Sequence, residues 1–221
     1  MADFSRKEII RLKATSHGFV NLTGVDLAGV DLSALDLQGV VFINANLVGV
    51  NLSKANLSAS NLEGANLSNS ILSGINLTNS NLKFANMSEA VFCDTLTHLN
   101  TQLIRTCFEM ANLKKANLQN VYMDEVDLRY ADLEGVNLED SVLKNSSLGK
   151  ASLVSANLTN ALLDNVSLYM ANLCESNFSG AILDNVKLSQ SKLSRANFTD
   201  SILLNVDLSE SILIENGIMR F

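Results

Sequence analysis

The sequence of 221 residues contains no proline and no tryptophan, and only 5% of its residues are aromatic although 47% are hydrophobic. A conventional globular core built around large rings is therefore disfavoured. A proline inside a sheet deletes one ladder hydrogen bond. Its absence suits a chain that pairs its backbone along nearly its whole length.

Residues for metal binding and catalysis are also scarce. Cys93, Cys107 and Cys174 form no CxxC pair, and the two histidines, His17 and His98, lie far apart. We therefore expect no Cys/His metal site, because few ligand residues are available for one, and the cysteine usage suits a reducing, cytoplasmic setting. No glycine-rich phosphate loop and no partnered histidine is present. We expect neither an enzyme nor a bound cofactor.

A basic surface and long apolar runs are missing as well. The formal net charge is −7 and the isoelectric point is near 4.8, which argues against binding nucleic acid through a basic face. No stretch of 18 apolar residues occurs, and the first twelve residues contain no apolar run of signal length. The sequence therefore predicts a soluble protein without a membrane contact.

What the sequence does contain is a large apolar residue at every fifth position. These centres run from Leu22 to Phe92 in one frame and from Phe108 to Leu213 in another. The residue two positions before each centre is nearly always Ala, Ser or Val. An α-helix needs apolar spacings of three and four, and a strand needs two, so neither continues for long. The five-residue period is explained by a short extended segment followed by a two-residue corner. In that segment a small residue points inward, a polar one outward and a large one inward.

Segments such as Ala55-Asn56-Leu57-Ser58 and Ala131-Asp132-Leu133-Glu134 resemble the A(D/N)LxX motif of pentapeptide-repeat proteins. The resemblance covers roughly residues 20 to 215 and implies an all-β, right-handed quadrilateral β-helix, a β-solenoid with four repeats per coil and about nine coils. The central residue and the one two before it would point inward. The lead-in from Glu8 to Leu22 and the leucine centres are similar to cyanobacterial members. Gyrase-protecting members are instead rich in Phe and carry a C-terminal helical module.

A short helix is predicted before the repeats. Ser5 and Glu8 form a capping box, which predicts a helix at roughly residues 5 to 14 that lies over the first coil. Its apolar stripe comprises Phe4, Ile9, Ile10 and Leu12. The expected domains are a helical cap and lead-in at 1–19, one β-helix at 20–215 with an insertion near 94–105, and a tail at 216–221.

The insertion separates the two frames. If Ile71 and Val91 share a side with Tyr122, about eleven residues are extra. Leucines three and four positions apart favour a helical turn there. A tolerated surface insertion and a recognition loop both fit, and a disulfide between Cys93 and Cys107 could close the loop. The residues that the loop would present are Leu96, His98, Leu99 and Leu103.

One outer position carries apolar residues where Asn or Asp is usual, at intervals of twenty. We call this set the apolar ladder: Ile71, Val91, Tyr122, Val142, Leu162, Ile182 and Ile202. Stacked residues that merely suit a pleated surface, and a protein-binding face, both explain it. As a binding face it would serve either a homodimer or a complex with another protein of unknown identity.

One coil is rich in acidic residues. Its members are Asp124, Glu125, Asp127, Asp132, Glu134, Glu139 and Asp140. The family resemblance implies an alternative function here, because some pentapeptide-repeat proteins look like duplex DNA and protect a type II topoisomerase, DNA gyrase. Lys and Arg residues interrupt any negative stripe in this chain. We therefore expect a non-catalytic rigid scaffold for protein–protein interaction, with DNA mimicry as the alternative.

Overall fold

A computed structural model describes residues 2–16, 20–92 and 101–212 as one β-solenoid that follows a short helix. The predicted all-β fold is confirmed. Its elements in chain order are α1 (Arg6–Thr15), β1 (Gln102–Ile104), β2 (Tyr122–Asp124), β3 (Val142–Lys144), β4 (Leu162–Asp164), β5 (Ile182–Asp184) and β6 (Ile202–Leu204). The six strands form one parallel sheet in sequential order.

Each strand pairs with the segment one coil later in the chain. Tyr122 pairs with Val142, and Val142 with Leu162, so one coil contains twenty residues. The regular sheet accounts for about five turns, fewer than the nine coils expected from the number of repeats. Isolated bridges continue the same pairing on the other sides and toward the N-terminus, where Asn21 pairs with Val41.

The core is a column of central residues that runs along the solenoid axis. Leu27, Leu82 and Leu163 are among the fully buried centres, and the small residue two positions earlier is buried at most coils. Phe178 and Phe198 stack with their ring centroids 4.8 Å apart, one coil from each other. Central residues in neighbouring coils therefore contact one another as the five-residue period predicted.

The chain turns at corners whose second residue has φ between 49° and 70°. Asn and Gly are frequent there because both tolerate this left-handed region. The N–H of this residue donates to a carbonyl of the next coil, as Asn120 does to Glu139 at 3.0 Å. The hydrogen bonds that join neighbouring coils therefore continue through the corners.

Asparagines before the centres connect the coils through their side chains. The Asn56 amide donates to the Asp36 carboxylate at 3.0 Å, and its Oδ1 accepts from the Ser58 backbone N–H at 3.1 Å. Asn76 then donates to Asn56 at 3.2 Å. One side chain thus stabilises its own corner and the stack, which explains the preference for Asn or Asp at this position.

Helix α1 covers the first coil, as predicted. The Glu8 carboxylate accepts from the Ser5 N–H at 2.7 Å, and Ile9 is buried, whereas Ile10 is 47% exposed and does not belong to the apolar stripe. Arg6 donates to the Ser33 carbonyl at 2.7 Å and Lys13 to the Gln38 carbonyl at 2.5 Å. The helix thereby occupies an edge that another chain could otherwise pair with. Within the described ranges, no helix is long and apolar enough to cross a membrane.

The insertion is shorter than predicted. Val91 pairs with Asn117 and Asn81 with Cys107, an interval of 26 residues instead of 20, so six residues are extra and the prediction of eleven is wrong. Tyr122 pairs with Gln102, which places Ile71 and Val91 on the neighbouring side. The prediction assumed that all apolar outer residues share one side, and that assumption does not hold.

The C-terminal half of the predicted loop belongs to the solenoid. Leu103, expected to be exposed in the insertion near 94–105, lies in β1 and is fully buried opposite Met123. Cys107 carries a free thiol. The other residues of that prediction, Leu96, His98 and Leu99, lie outside the described residues, as do Cys93 and the tail at 216–221.

Candidate interaction surfaces

Five members of the apolar ladder lie in register on the side formed by β1 to β6. Tyr122, Val142, Leu162, Ile182 and Ile202 pair in succession, one per coil. The first three are half-buried and the last two are exposed. We call this side the ladder side. Four steps of about 4.8 Å give the five residues a length of roughly 19 Å.

The other two members, Ile71 and Val91, stack as an exposed pair on the neighbouring side. In the next coil the same position is occupied by Asn117, the residue type that is most frequent there. The seven predicted residues therefore form two separate groups. Only the group of five is long enough to form an extended contact surface.

Regular strands of three residues occur on the ladder side, as in β3 (Val142–Lys144). Elsewhere an Asn or Asp before the centre often accepts from the backbone N–H two residues later, as Asn157 does from Thr159 at 3.1 Å. Valine, leucine and isoleucine cannot accept that bond. An apolar residue at this position is not sufficient for a strand, because Ile71 and Val91 on the neighbouring side form isolated bridges.

Carboxylates border the ladder at both corners. The segments 119–125, 139–145, 159–165, 179–185 and 199–205 form the part of the ladder side from β2 to β6 with its two corners, and they contain seven acids and one base, a net charge of −6. We call these acids the acidic border: Asp124, Glu125, Glu139, Asp140, Asp164, Asp184 and Asp200. The base is Lys144, whose Nζ lies 3.8 Å from Asp164. Arg105 reaches Glu125 from the preceding coil at 3.1 Å.

The predicted acidic coil does not form a continuous stripe. Its seven residues are spread over all four sides, and cations neutralise several of them. Lys114 Nζ lies 3.2 Å from Asp132 and 2.9 Å from Glu134. Arg129 donates twice to Asp127, at 2.7 and 2.8 Å. The surface therefore alternates in sign around this coil.

These ion pairs keep their partners charged near neutral pH. Burial acts to raise the pKa of Asp127, but the hydrogen bonds from Arg129 outweigh it and the pKa is lowered. A hydrogen bond from Lys114 lowers the pKa of Glu134. The Glu109 carboxylate, through its hydrogen bond, raises the pKa of Lys83. Asp127, Glu134 and Lys83 are thus charged at neutral pH.

Cys107, Glu109 and Asp127 bring three potential metal-ligand atoms within 4.8 Å of one another. Lys83 Nζ lies 3.0 Å from Glu109, and Arg129 holds Asp127. A metal ion would have to displace both cations from the carboxylates. We therefore assign no metal to this cluster.

Sequence reasoning missed a second exposed surface, which lies at one corner. We call it the corner ridge: Phe84, Met110, Tyr130, Tyr169 and Met170, each at least 40% exposed. The backbone N–H of Met110 donates to Arg129 and that of Tyr130 to Gly149, so the residues stack directly. The signal in the sequence is the recurrence of bulky residues at the second corner position at 84, 110, 130 and 170.

Comparison with known proteins identifies similar chains. The sequence model of the family described as pentapeptide repeats matches eight copies, at residues 21–58, 60–96, 106–145, 122–160, 141–180, 151–190 and 191–216. No curated protein sequence matches this chain.

Among solved structures, the chain is similar to HetL, a pentapeptide repeat protein involved in heterocyst differentiation regulation in the cyanobacterium Nostoc sp. strain PCC 7120. The identity is 28%, over 98% of this chain and 99% of HetL, with a TM-score of 0.52. QnrB1, a plasmid-mediated fluoroquinolone resistance protein, is 16% identical over 89% of this chain and 91% of its own, with a TM-score of 0.39. Rfr23 from the cyanobacterium Cyanothece 51142 is 21% identical over 52% and 85%, with a TM-score of 0.26.

Proposed function

Because the chain belongs to the pentapeptide repeat family, we propose that it is a non-catalytic, rigid scaffold that binds a protein partner through the ladder side. The observation that supports this proposal is the row of five apolar side chains from Tyr122 to Ile202. They stand at an outer position where Asn or Asp is the most frequent residue elsewhere in the chain. An aligned apolar row on the outside of a protein marks an interaction surface.

The stiffness of the solenoid favours such a role. Every coil of the ladder side is hydrogen-bonded to its neighbours, for example from Val142 N–H to the Val121 carbonyl at 3.0 Å and from Leu162 N–H to Ser141 at 2.9 Å. Binding therefore orders little additional backbone, which lowers the entropic cost of association. HetL, to which this chain is similar, is involved in heterocyst differentiation regulation, and a regulatory role is consistent with action through contact with another protein. We propose a cytoplasmic location, which the free thiols of Cys107 and Cys174 support.

DNA mimicry with binding to DNA gyrase is the weaker candidate. It requires a continuous line of negative charge, whereas Lys114 and Arg129 neutralise the acidic coil. The acidic border does carry excess negative charge, but the apolar ladder divides it. A duplex backbone has no counterpart of that row. We expect the purified protein to leave gyrase supercoiling activity unchanged.

The scaffold proposal is tested with Leu162→Asp. Leu162 is half-buried at the middle of the ladder, so the charge disrupts the surface and leaves the core leucines in place. Ser152→Asp is the matched control, because it adds the same charge at the same outer position on another side. In quantitative pull-downs, the wild type and the control should recover the same proteins. Leu162→Asp should fail to recover them. Equal recovery by all three chains, with unchanged circular dichroism, would contradict the proposal.

A further inference from the structure

The corner ridge combines bulky side chains with an unfavourable backbone conformation. Phe84, Met110, Tyr130 and Met170 have φ between 58° and 60°. Among the non-glycine residues at positive φ that the structure describes, these four are the large apolar or aromatic ones, and all four lie at one corner. Asn or Gly would relieve the conformation, as at other corners. Strain retained at exposed bulky residues indicates a function for their side chains.

The ridge also carries cations in an otherwise acidic protein. Lys150 Nζ lies 5.2 Å from the centre of the Tyr130 ring, and Lys83 Nζ lies 5.2 Å from that of Phe84. The five corners 83–84, 109–110, 129–130, 149–150 and 169–170 contain three bases and one acid. Lys83 pairs with Glu109 and Arg129 with Asp127, so Lys150 is the base that has no carboxylate within ion-pair distance among the described residues. Phe, Tyr, Met and Arg are the side chains that are enriched at protein–protein interfaces.

The ladder side has the opposite character. Its five apolar residues lie between the carboxylates of the acidic border, with a net charge of −6. Two ladder sides packed against each other would bring these like charges together, which disfavours a symmetric dimer through the ladder. An apolar surface with basic residues fits it instead. The corner ridge is such a surface, and it also extends over five coils, from Phe84 to Met170.

We propose that the ladder side of one molecule binds the corner ridge of a second copy of this chain. This inference rests on the proposed function, because it names the partner of the ladder. Both surfaces repeat at the coil spacing of about 4.8 Å, so Tyr and Met side chains of one copy meet successive ladder residues of the other. Lys150, at the ridge, then faces carboxylates such as Asp164 or Asp184. Two different surfaces make the contact, so the interface is heterologous, and the pair keeps one free ladder side and one free corner ridge.

The contact is small. Five coils at about 4.8 Å and a width on the order of 15 Å give roughly 350 Å² on each copy, or roughly 700 Å² in total, which is below the size of stable specific complexes. We therefore expect weak association that increases with concentration and decreases with salt. Light scattering of the wild type should show a mass above that of the monomer at high concentration, without a plateau at the dimer.

The decisive experiment mixes two variants. The ridge variant carries Met110→Asn and Tyr130→Asn, which suit the corner conformation already used by Asn120 and Asn160. The ladder variant carries Leu162→Asp. Each retains one intact surface, so each should stay monomeric alone. An equal mixture should form a one-to-one dimer and stop there, because the remaining pair of surfaces is disabled. Ser155→Asn, at the same position of the next corner, is the control and should associate like the wild type.

The outcomes separate this inference from the proposed function. A wild type that stays monomeric at all concentrations and salt levels overturns the inference. The inference is also overturned if Leu162→Asp abolishes association but the ridge variant still associates. In that case the ladder would bind a surface other than the corner ridge. If pull-downs with Leu162→Asp recover the same proteins as the wild type, the proposed function fails instead. A dimer that forms only in the mixture supports both.

Discussion

Replacing Ile9 with alanine should loosen the first coil and leave the rest of the solenoid intact. Ile9 is 1% exposed and packs, with Phe4 and Leu12 beside it, against the end of the core. The substitution removes three carbon atoms at about 0.8 kcal/mol each and leaves a cavity, so the cost should be about 2.5 to 4 kcal/mol. In a solenoid each coil contacts only its neighbours, so the cost is confined to the cap and the first coil.

Hydrogen exchange measures this effect residue by residue. The Leu27 N–H donates to Asn46 at 2.8 Å and the Leu168 N–H to Lys187 at 2.8 Å, so both start from similar bonds. A loss of about 2.5 kcal/mol should accelerate exchange at Leu27 by roughly seventyfold, since 1.36 kcal/mol is a factor of ten. Exchange at Leu168 should not change. Ile10→Ala is the control, because Ile10 is exposed and its truncation should cost less than about 0.5 kcal/mol.

Equal acceleration of exchange by Ile10→Ala and Ile9→Ala would show that the buried Ile9 side chain does not hold the first coil in place. An equal response of the amides of all coils to Ile9→Ala would contradict the expected confinement of the effect. The second result would mean that the solenoid unfolds as a single unit rather than coil by coil.

Two further predictions concern the corners and the ion pairs. Gly64→Ala should destabilise the fold by about 2 kcal/mol, because Gly64 has a positive φ and a Cβ there would meet the Asn44 side chain. Gly39 also has a positive φ but open space around it, so Gly39→Ala should cost only about 1 kcal/mol. Thermal denaturation of both variants measures the difference. The pKa of Asp127 is lower in the folded protein than in the unfolded chain, where it is near 4, so the ionised carboxylate stabilises the fold at pH values above about 4. This stabilisation is lost as the pH falls through the pKa of the folded state. Asp127→Asn should therefore lower the urea midpoint at pH 7, by an amount that shrinks as the pH is lowered below about 4, and a loss that does not change with pH would exclude the pair with Arg129 as the cause.

Most of the fold could be predicted because the five-residue period has few physical solutions. Large centres such as Leu57 and small residues such as Ala55 alternate as the inward positions require, and both are buried. The stack of Tyr122, Val142 and Leu162 followed from the interval of twenty. These features depend only on spacing within one uninterrupted frame.

The position of each side beyond the insertion could not be predicted in the same way. All four sides share one sequence pattern, so Val91 resembles Tyr122 although six extra residues place them on different sides. Leu103 has helical spacing from the leucines before it, but pairing with Met123 determines its place. The corner ridge was missed because the second corner position was considered only as solvent-facing. Its significance depends on φ and on which corners stack.

The constant twenty-residue coil makes the solenoid a molecular ruler. On one side of the molecule, each difference of twenty in residue number corresponds to a step of about 4.8 Å along the axis, and six residues are subtracted when the interval crosses the insertion. Attachment points at Asp124 and Asp184, three coils apart, are therefore separated by roughly 14 Å. Probes or ligands attached at chosen coils can be spaced in increments smaller than the diameter of a helix, on a backbone whose successive coils are hydrogen-bonded to one another.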